Sequence, residues 1–291
     1  MSNMIKSPLN YIGGKKKLLP QLLPLFPENI NTFVDLFAGG CNVGVNVAAD
    51  KVILNDNLTY LIDMYQAFQS HTVEEVIEHI ESRISELDLS LTNQEGYLRL
   101  RELYNHDRVP LDLFVLVAFS FNHQIRFNNS HKFNNPFGKN RSSFNSIMKK
   151  NLLAFLQVIQ QDHYVFQSLS YDNFDFTSIT SNDLVYCDPP YLITTGTYND
   201  GKRGFKGWNE NEEIRLLSLL DQLNEQNIRF ALSNVLEHKD KENVLLKEWL
   251  NKNDYSCHQL NHSYANSSYQ TMNRKKNSSQ EVLITNYVNN P

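Results

Sequence analysis

Cysteine is scarce in this chain of 291 residues: Cys41, Cys187 and Cys257 stand far apart, with no C-x-x-C pair. An odd, scattered set argues against a disulfide framework and a structural zinc site, and it suits a reducing cytoplasm. The nine histidines show no ligand spacing, so no metal is expected. Long apolar runs are missing too. The longest, Leu111 to Phe121, is interrupted by Asp112 and is too short to cross a bilayer. The first residues carry no signal-peptide apolar core, so neither a membrane span nor a targeting segment is expected. There is no G-x-G-x-x-G and no G-x-x-x-x-G-K-[ST], hence nothing built to cradle a pyrophosphate or triphosphate. Acids are absent from three long stretches, Ser2 to Pro27, Leu113 to Gln161 and Tyr255 to Gln280, although the net charge is −5.

What is present begins with Leu184-Val185-Tyr186-Cys187, an apolar run that reads as a buried strand, followed at once by Asp188-Pro189-Pro190-Tyr191. A carboxylate and an aromatic ring therefore sit at a strand's carboxyl end, the edge of an open α/β sheet where ligands bind. Two prolines cannot continue a central strand, and they stiffen the turn from which both groups project. Such a corner suits a flat substrate with an exocyclic amine. Asp188 and the Pro189 carbonyl can each accept a hydrogen bond from the amine while Tyr191 stacks on the ring.

Upstream, the short strand Thr32 to Phe37 runs into Ala38-Gly39-Gly40, and the stretch Val43 to Ala49 is predicted to be helical. Glycines let the backbone approach a cofactor, and a helix start offers free N–H groups. The next strand, Val52 to Leu54, ends at Asn55-Asp56, about 20 residues beyond Asp35, where related nucleotide folds place a carboxylate on a ribose diol. A nucleoside cofactor without phosphates fits this pattern.

From His71 to Arg108 apolar spacings such as Val73-Val76-Ile77-Ile80-Ile84-Leu87 predict helices, followed by a buried helix from Leu111 to Phe121 and a polar loop or hairpin from Asn122 to Asn145. Helix Ile147–Gln160, strand Tyr164–Leu169, strand Leu184–Cys187, helix Asn211–Leu223, strand Ile228–Ser233, helix Lys239–Leu250 and two strands near Tyr255 and Val282 are expected to complete the chain. That alternation calls for a mostly parallel sheet with helices on both faces. Tyr191 to Trp208, rich in glycine, is expected to be a mobile loop that orders around substrate. The acidic runs Glu74–Glu86 and Glu210–Glu213 read as solvated helix faces.

Taken together, Pro8-Leu9-Asn10-Tyr11-Ile12-Gly13-Gly14-Lys15, Asp35-Leu36-Phe37-Ala38-Gly39-Gly40, Asn55-Asp56 and Asp188-Pro189-Pro190-Tyr191 resemble the Dam-type (D12 class, α-group) DNA adenine-N6 methyltransferases. Phe121 to Asn128 and Phe133 to Gly138 resemble that family's DNA-facing hairpin, and Ser278 to Tyr287 its last strand. The resemblance implies a Rossmann-like methyltransferase sheet with an inserted, mainly helical DNA-recognition domain. It divides the chain into a catalytic domain, residues 1–70 and 147–291, and a target-recognition domain, 71–146. It implies S-adenosyl-L-methionine as cofactor, bound by Tyr11, Gly14, Lys15, Asp35, Phe37, Gly39, Asp56 and Asp188. Tyr11 would stack on the cofactor adenine, Lys15 would lie near the reacting centre, and Asp56 would hold the ribose. The catalytic set would be Asp188, Pro189, Pro190 and Tyr191, acting on an adenine flipped out of double-stranded DNA.

The same resemblance places Asn122, His123, Gln124, Arg126, Asn128 and Asn134 of the hairpin on the DNA, with Asn10 where some members touch it, and the basic residues of the acid-free stretch add Lys132, Lys139 and Arg141. Cations among these suit phosphates, amides suit base edges, and the interleaved Phe127, Phe133, Phe137 and Phe144 supply rings. Members with tryptophan at the Tyr11 position, or lysine at the Asn10 position, mark departures; the second puts a GATC target in doubt. Cytosine-N4 enzymes usually show serine at the Asp188 position, and RNA-adenine or protein-glutamine enzymes asparagine, so Asp188 counts against both. A non-catalytic DNA-binding homologue would be expected to have lost Asp56, Asp188 or Tyr191. A restriction endonuclease is a candidate functional companion, and a monomer or weak dimer in a bacterial or phage-infected cytoplasm is the expected state.

Overall fold

A computed structural model describes residues 4–194, 207–261 and 279–288. Eight strands form one sheet: β1 (Thr32–Asp35), β2 (Lys51–Asn55), β3 (Tyr164–Gln167), β4 (Leu184–Cys187), β5 (Arg229–His238), β6 (Lys241–Glu242), β7 (Ser256–Leu260) and β8 (Ser279–Thr285). Their order is β3-β2-β1-β4-β5-β8-β7, with β6 hairpinned onto β5. The first five run parallel, while β8 pairs antiparallel with both β5 and β7. Strand β4 is buried at every residue, as expected of a parallel strand covered on both faces.

The helices are α1 (Leu19–Leu22), α2 (Thr59–Ser70), α3 (Val73–Glu86), α4 (Gln94–Asp107), α5 (Pro110–Phe119), α6 (Ser146–Ile159), α7 (Glu210–Glu225) and α8 (Val244–Lys252). Because alternate strand residues point to opposite faces, two cores form. Phe33, Leu184 and Tyr186 join α2, α5 and α6 in one, and Val34, Val185 and Cys187 join α7 and α8 in the other. Helices α3 to α5 lie between β2 and β3 in the chain, and their core is continuous with the first. Thr72 starts α3 with a capping box to Glu75, and Pro110 opens α5, whose buried Asp112 is met by His79 and Arg83.

Three expectations are corrected. Val43 to Ala49 is no helix; only a single turn, Gly44–Asn46, forms. Three β-branched valines disfavour a helix there, and Asn46 is instead spent on both backbone groups of Ile5, tying this segment to the N-terminal strap. The helix expected from Lys239 begins at Val244. Strand β5 runs on to His238, Lys239 turns at φ 57°, β6 returns, and Asn243 caps α8. The run Glu210–Glu213 is only partly a solvated face: Glu212 and Glu213 are buried, and Glu213 accepts from Trp208, Asn234 and Asn243. The expected mobile loop falls largely on residues 195–206, outside the described residues.

Candidate active site

Strand β1 continues to β2 on one side and β4 to β5 on the other, so the sheet's switch point lies between β1 and β4. Their carboxyl ends frame a crevice there. A cleft opens there, lined by the strap Tyr11–Lys15, by Asp35 and Phe37 to Gly40, and by Asn42, Val43, Tyr186 and Asp188. Of the eight expected cofactor residues, Asp56 does not line the cleft. Its Oδ2 accepts from Gly39 N–H at 2.9 Å and its Oδ1 from Leu58 N–H at 2.9 Å, which ties the glycine turn to β2.

Glycine is required at two places in this wall. A Cβ on Gly39, whose φ is +48°, would stand 2.7 Å from the Tyr11 ring, so the ring packs directly on the glycine turn. A Cβ on Gly44 would meet Leu54 at 2.3 Å; its bare N–H reaches Asp35 Oδ2 at 3.3 Å. The strap itself is held by Ser7 N–H on Asn42 and by the Tyr11–Gly14 turn, with Gly13 at φ 81°.

Lys15, the one buried lysine in the Lys15–Lys17 turn, reaches inward. Its Nζ bonds the Gly13 carbonyl at 3.0 Å and lies 2.8 Å from Asp188 Oδ1 and 3.6 Å from Glu281 Oε1. It also sits 5.0 Å from the Tyr191 ring centroid, over the ring face. The Tyr191 hydroxyl reaches Asp188 Oδ1 at 3.1 Å and Glu281 Oε1 at 2.8 Å. Both contacts on Asp188 thus use Oδ1, and among the described residues Oδ2 accepts nothing. Burial pushes the Asp188 carboxyl up, and Lys15 beside it pulls it part of the way back. Burial alone would lower the Lys15 ammonium, but Asp188 and Glu281 outweigh it and leave the group raised.

Glu281 was not marked by sequence reasoning. The available signal is an acid inside the apolar stretch Glu281-Val282-Leu283-Ile284 of a strand, where a buried charge needs a partner.

Asp35 is 2% exposed, and among the described residues its Oδ1 has no hydrogen-bond partner. Burial, then the charge of Asp188, raises its carboxyl to about 8. An orphaned acid in a cleft wall fits a cationic, donor-rich ligand, which would supply what Oδ1 lacks.

Hydrogen bonds link several of the expected DNA residues to one another. Asn10 Nδ2 donates to the Asn122 carbonyl at 3.1 Å, and Arg141 reaches Asn122 Oδ1 at 3.2 Å while lying over the exposed Phe121 ring. Asn122 and His123 both take left-handed backbone, and the His123 Nδ1 lies 3.3 Å from the Val117 carbonyl. Across the hairpin, bridged at Phe127 and Phe133, Arg126 holds Asn134 through its side chain at 2.9 Å and its carbonyl at 2.7 Å. Asn128 caps the tip, its Oδ1 accepting from Ser130 and Lys132 N–H. Gln124 is half-buried, while Lys132 and Lys139 stand exposed.

A mostly parallel sheet with helices on both faces, a cleft at its switch point and an acid-proline-proline-tyrosine corner define a Rossmann-like methyltransferase fold. Residues 11–266 match the model of the D12 class N6 adenine-specific DNA methyltransferases, and the chain belongs to that family. It is 54% identical over 288 residues to the type II methyltransferase M.FokI of Planomicrobium okeanokoites, covering 99% of this chain and 44% of that protein. It is 55% identical over 283 residues to the modification methylase StsI of Streptococcus sanguinis, covering 97% and 43%. It is 26% identical over 245 residues to the DNA adenine methylase of Escherichia coli K12, covering 83% and 82%. The chain therefore spans less than half the length of the first two relatives. Family membership implies a methyl donor.

Proposed function

We propose that this chain transfers the methyl group of S-adenosyl-L-methionine to the N6 amine of an adenine flipped out of a short specific duplex DNA site. The carrying observation is the Asp188 carboxylate, fixed through Oδ1 by Lys15 and Tyr191, with Oδ2 left for an amine. The adenine lone pair is delocalised into the purine, which makes it a poor nucleophile. Hydrogen bonds from the amine to Asp188 Oδ2 and the Pro189 carbonyl localise it, so the corner acts by orientation and electrostatics. Lys15 occupies one face of the Tyr191 ring, and the base stacks on the other. Pro190 keeps the turn stiff. When bound, the cofactor supplies a methyl group on a positively charged sulfur, whose departure as a neutral thioether needs no acid.

Asp35 Oδ1 serves the cationic part of the cofactor. Tyr11 and Phe37 offer their rings to its adenine, Gly14 and Gly39 allow close approach, and Asp56 supports the turn that holds the ribose. Residues 71–146 form the recognition part: its Asn122 and Arg141 make one patch with Asn10 of the strap, and the Arg126–Asn134 hairpin makes a second. Two relatives carry type II or modification names, which supports a role as the modifying partner of a restriction endonuclease.

The test is incubation with methyl-labelled S-adenosylmethionine and, separately, duplex DNA, RNA or protein. Label on DNA, recovered as N6-methyladenine, is the expected result; label confined to RNA, protein or cytosine would overturn the reading.

A further inference from the structure

The Tyr191 ring stands beyond the end of β4, in a turn in which its carbonyl accepts from Thr194 N–H at 3.2 Å. What fixes the ring comes from elsewhere in the chain. Glu281 is 5% exposed on β8, a strand paired on both sides, opposite Val235 of β5 and Leu260 of β7. Its side chain therefore starts from a backbone held on both sides. Two carboxylates lie within reach of one phenol, which has a single proton to give. The shorter contact is to Glu281, 2.8 Å against 3.1 Å for Asp188. The ammonium divides in the opposite sense, 2.8 Å to Asp188 and 3.6 Å to Glu281. Each acid thus has its own main donor, and the two donors cross-link the acids.

Resting on the adenine reading of this site, we propose that Glu281 is a positioning residue: by holding the Tyr191 hydroxyl it sets the ring on which the target base stacks, and it keeps the Asp188 carboxylate from being drawn onto the phenol. Without Glu281 the phenol turns to its remaining acceptor, Asp188, and the ring follows. The carboxylate that should receive the amine is then pulled out of line through Oδ1, and the stacking surface is displaced. Glu281 itself does not line the methyl-donor cleft, so its loss is expected to fall on the transfer step more than on donor binding.

A double-mutant cycle reads this directly. Single-turnover methyl transfer to cognate DNA is compared for wild type, Glu281→Leu, Tyr191→Phe and the double variant, with donor Kd measured alongside. Glu281→Leu is expected to slow the methyl-transfer step by about 10- to 100-fold while donor Kd changes by less than about threefold. On the Tyr191→Phe background, which has no hydroxyl to hold, the same replacement is expected to cost less than about threefold. Should Glu281→Leu fail to fold, Glu281→Gln, which keeps the shape and an acceptor oxygen, replaces it. A loss of about threefold or more with intact Tyr191, vanishing on the Tyr191→Phe background, is then expected. Equal losses on both backgrounds, or a loss seen only in donor binding or thermal stability, overturn the proposal. An inactive wild type would instead count against the adenine reading itself.

Discussion

Lys15 Nζ lies 2.8 Å from Asp188 Oδ1, so the Lys15–Lys17 turn and the corner after β4 share one largely buried ion pair. With Glu281 also in reach, two acids lean on a single cation. Removing one partner of a buried pair strands the other, which costs far more than the pair itself contributes.

Lys15→Met is therefore expected to destabilise the fold by about 3–5 kcal/mol near pH 8. The sign with pH follows from Asp188, left behind without the ammonium that offsets its burial. Its folded-state pKa then stands further above the unfolded one, so the unfolded chain gives up a proton that the folded chain keeps, and stability falls as pH rises. The deficit should shrink from pH 8 to pH 5, as read by denaturant midpoints. In wild type, the raised Lys15 contributes stability that is present below the unfolded lysine value and lost as pH climbs through the folded one.

Asp35 makes a second pH-dependent prediction. With its carboxyl raised to about 8 by burial and by Asp188, the acid is mostly protonated at pH 7 before ligand arrives. A cationic donor beside Oδ1 lowers that value, so binding at pH 7 should release up to one proton, and donor affinity should rise from pH 6 to pH 9. Calorimetry in two buffers of different ionisation enthalpy measures this. Asp35→Asn should bind weakly, with heat independent of buffer and affinity flat with pH; buffer-independent heat in wild type would contradict the assignment.

Trp208 links the segment entering α7 to the cleft. Its indole N–H donates to buried Glu213 at 2.7 Å, and its ring meets Phe37, a cleft residue, edge-on at 5.8 Å. Trp208→Phe keeps a ring there but takes one donor from a fully buried carboxylate, at an expected cost of about 1–3 kcal/mol in urea unfolding. The chain has only one other tryptophan, Trp249, bonded to Asp221. Donor binding should thus change the intrinsic fluorescence of wild type and leave that of the variant almost flat.

Much of this arrangement was legible in the sequence, for identifiable reasons. Strand β4 and the corner after it stood out because a buried parallel strand is a run of apolar residues and proline must end it. Helices α3, α5 and α6 followed from their apolar spacing. What escaped was decided by distant contacts. The Val43–Ala49 stretch lost its helix to Asn46 bonds with Ile5, and Glu213 was drawn inside by Trp208, Asn234 and Asn243. Glu281 looked like an ordinary strand residue, because its partners lie at the opposite end of the chain and past β4. Asp56 was legible as an acid at the end of β2, but its two bonds to loop amides were not.

The hairpin residues divide by what they already hold. Lys132 and Lys139 stand exposed, so replacing either with alanine should weaken DNA binding similarly on all sequences and reduce the salt slope by about 1. Asn128→Ala should act differently. It removes the acceptor of two tip amides, and the expected effect is faster hydrogen exchange at the Ser130 and Lys132 amides along with weaker binding.

The most direct measurement is single-turnover methyl transfer by Asp188→Ala on cognate duplex DNA, with DNA affinity measured on the same preparation. The account predicts a rate lower by at least about 1,000-fold with DNA affinity nearly unchanged, since the lost carboxylate organises the amine and carries no part of the DNA grip. A variant that still transfers methyl at close to the wild-type rate would contradict it.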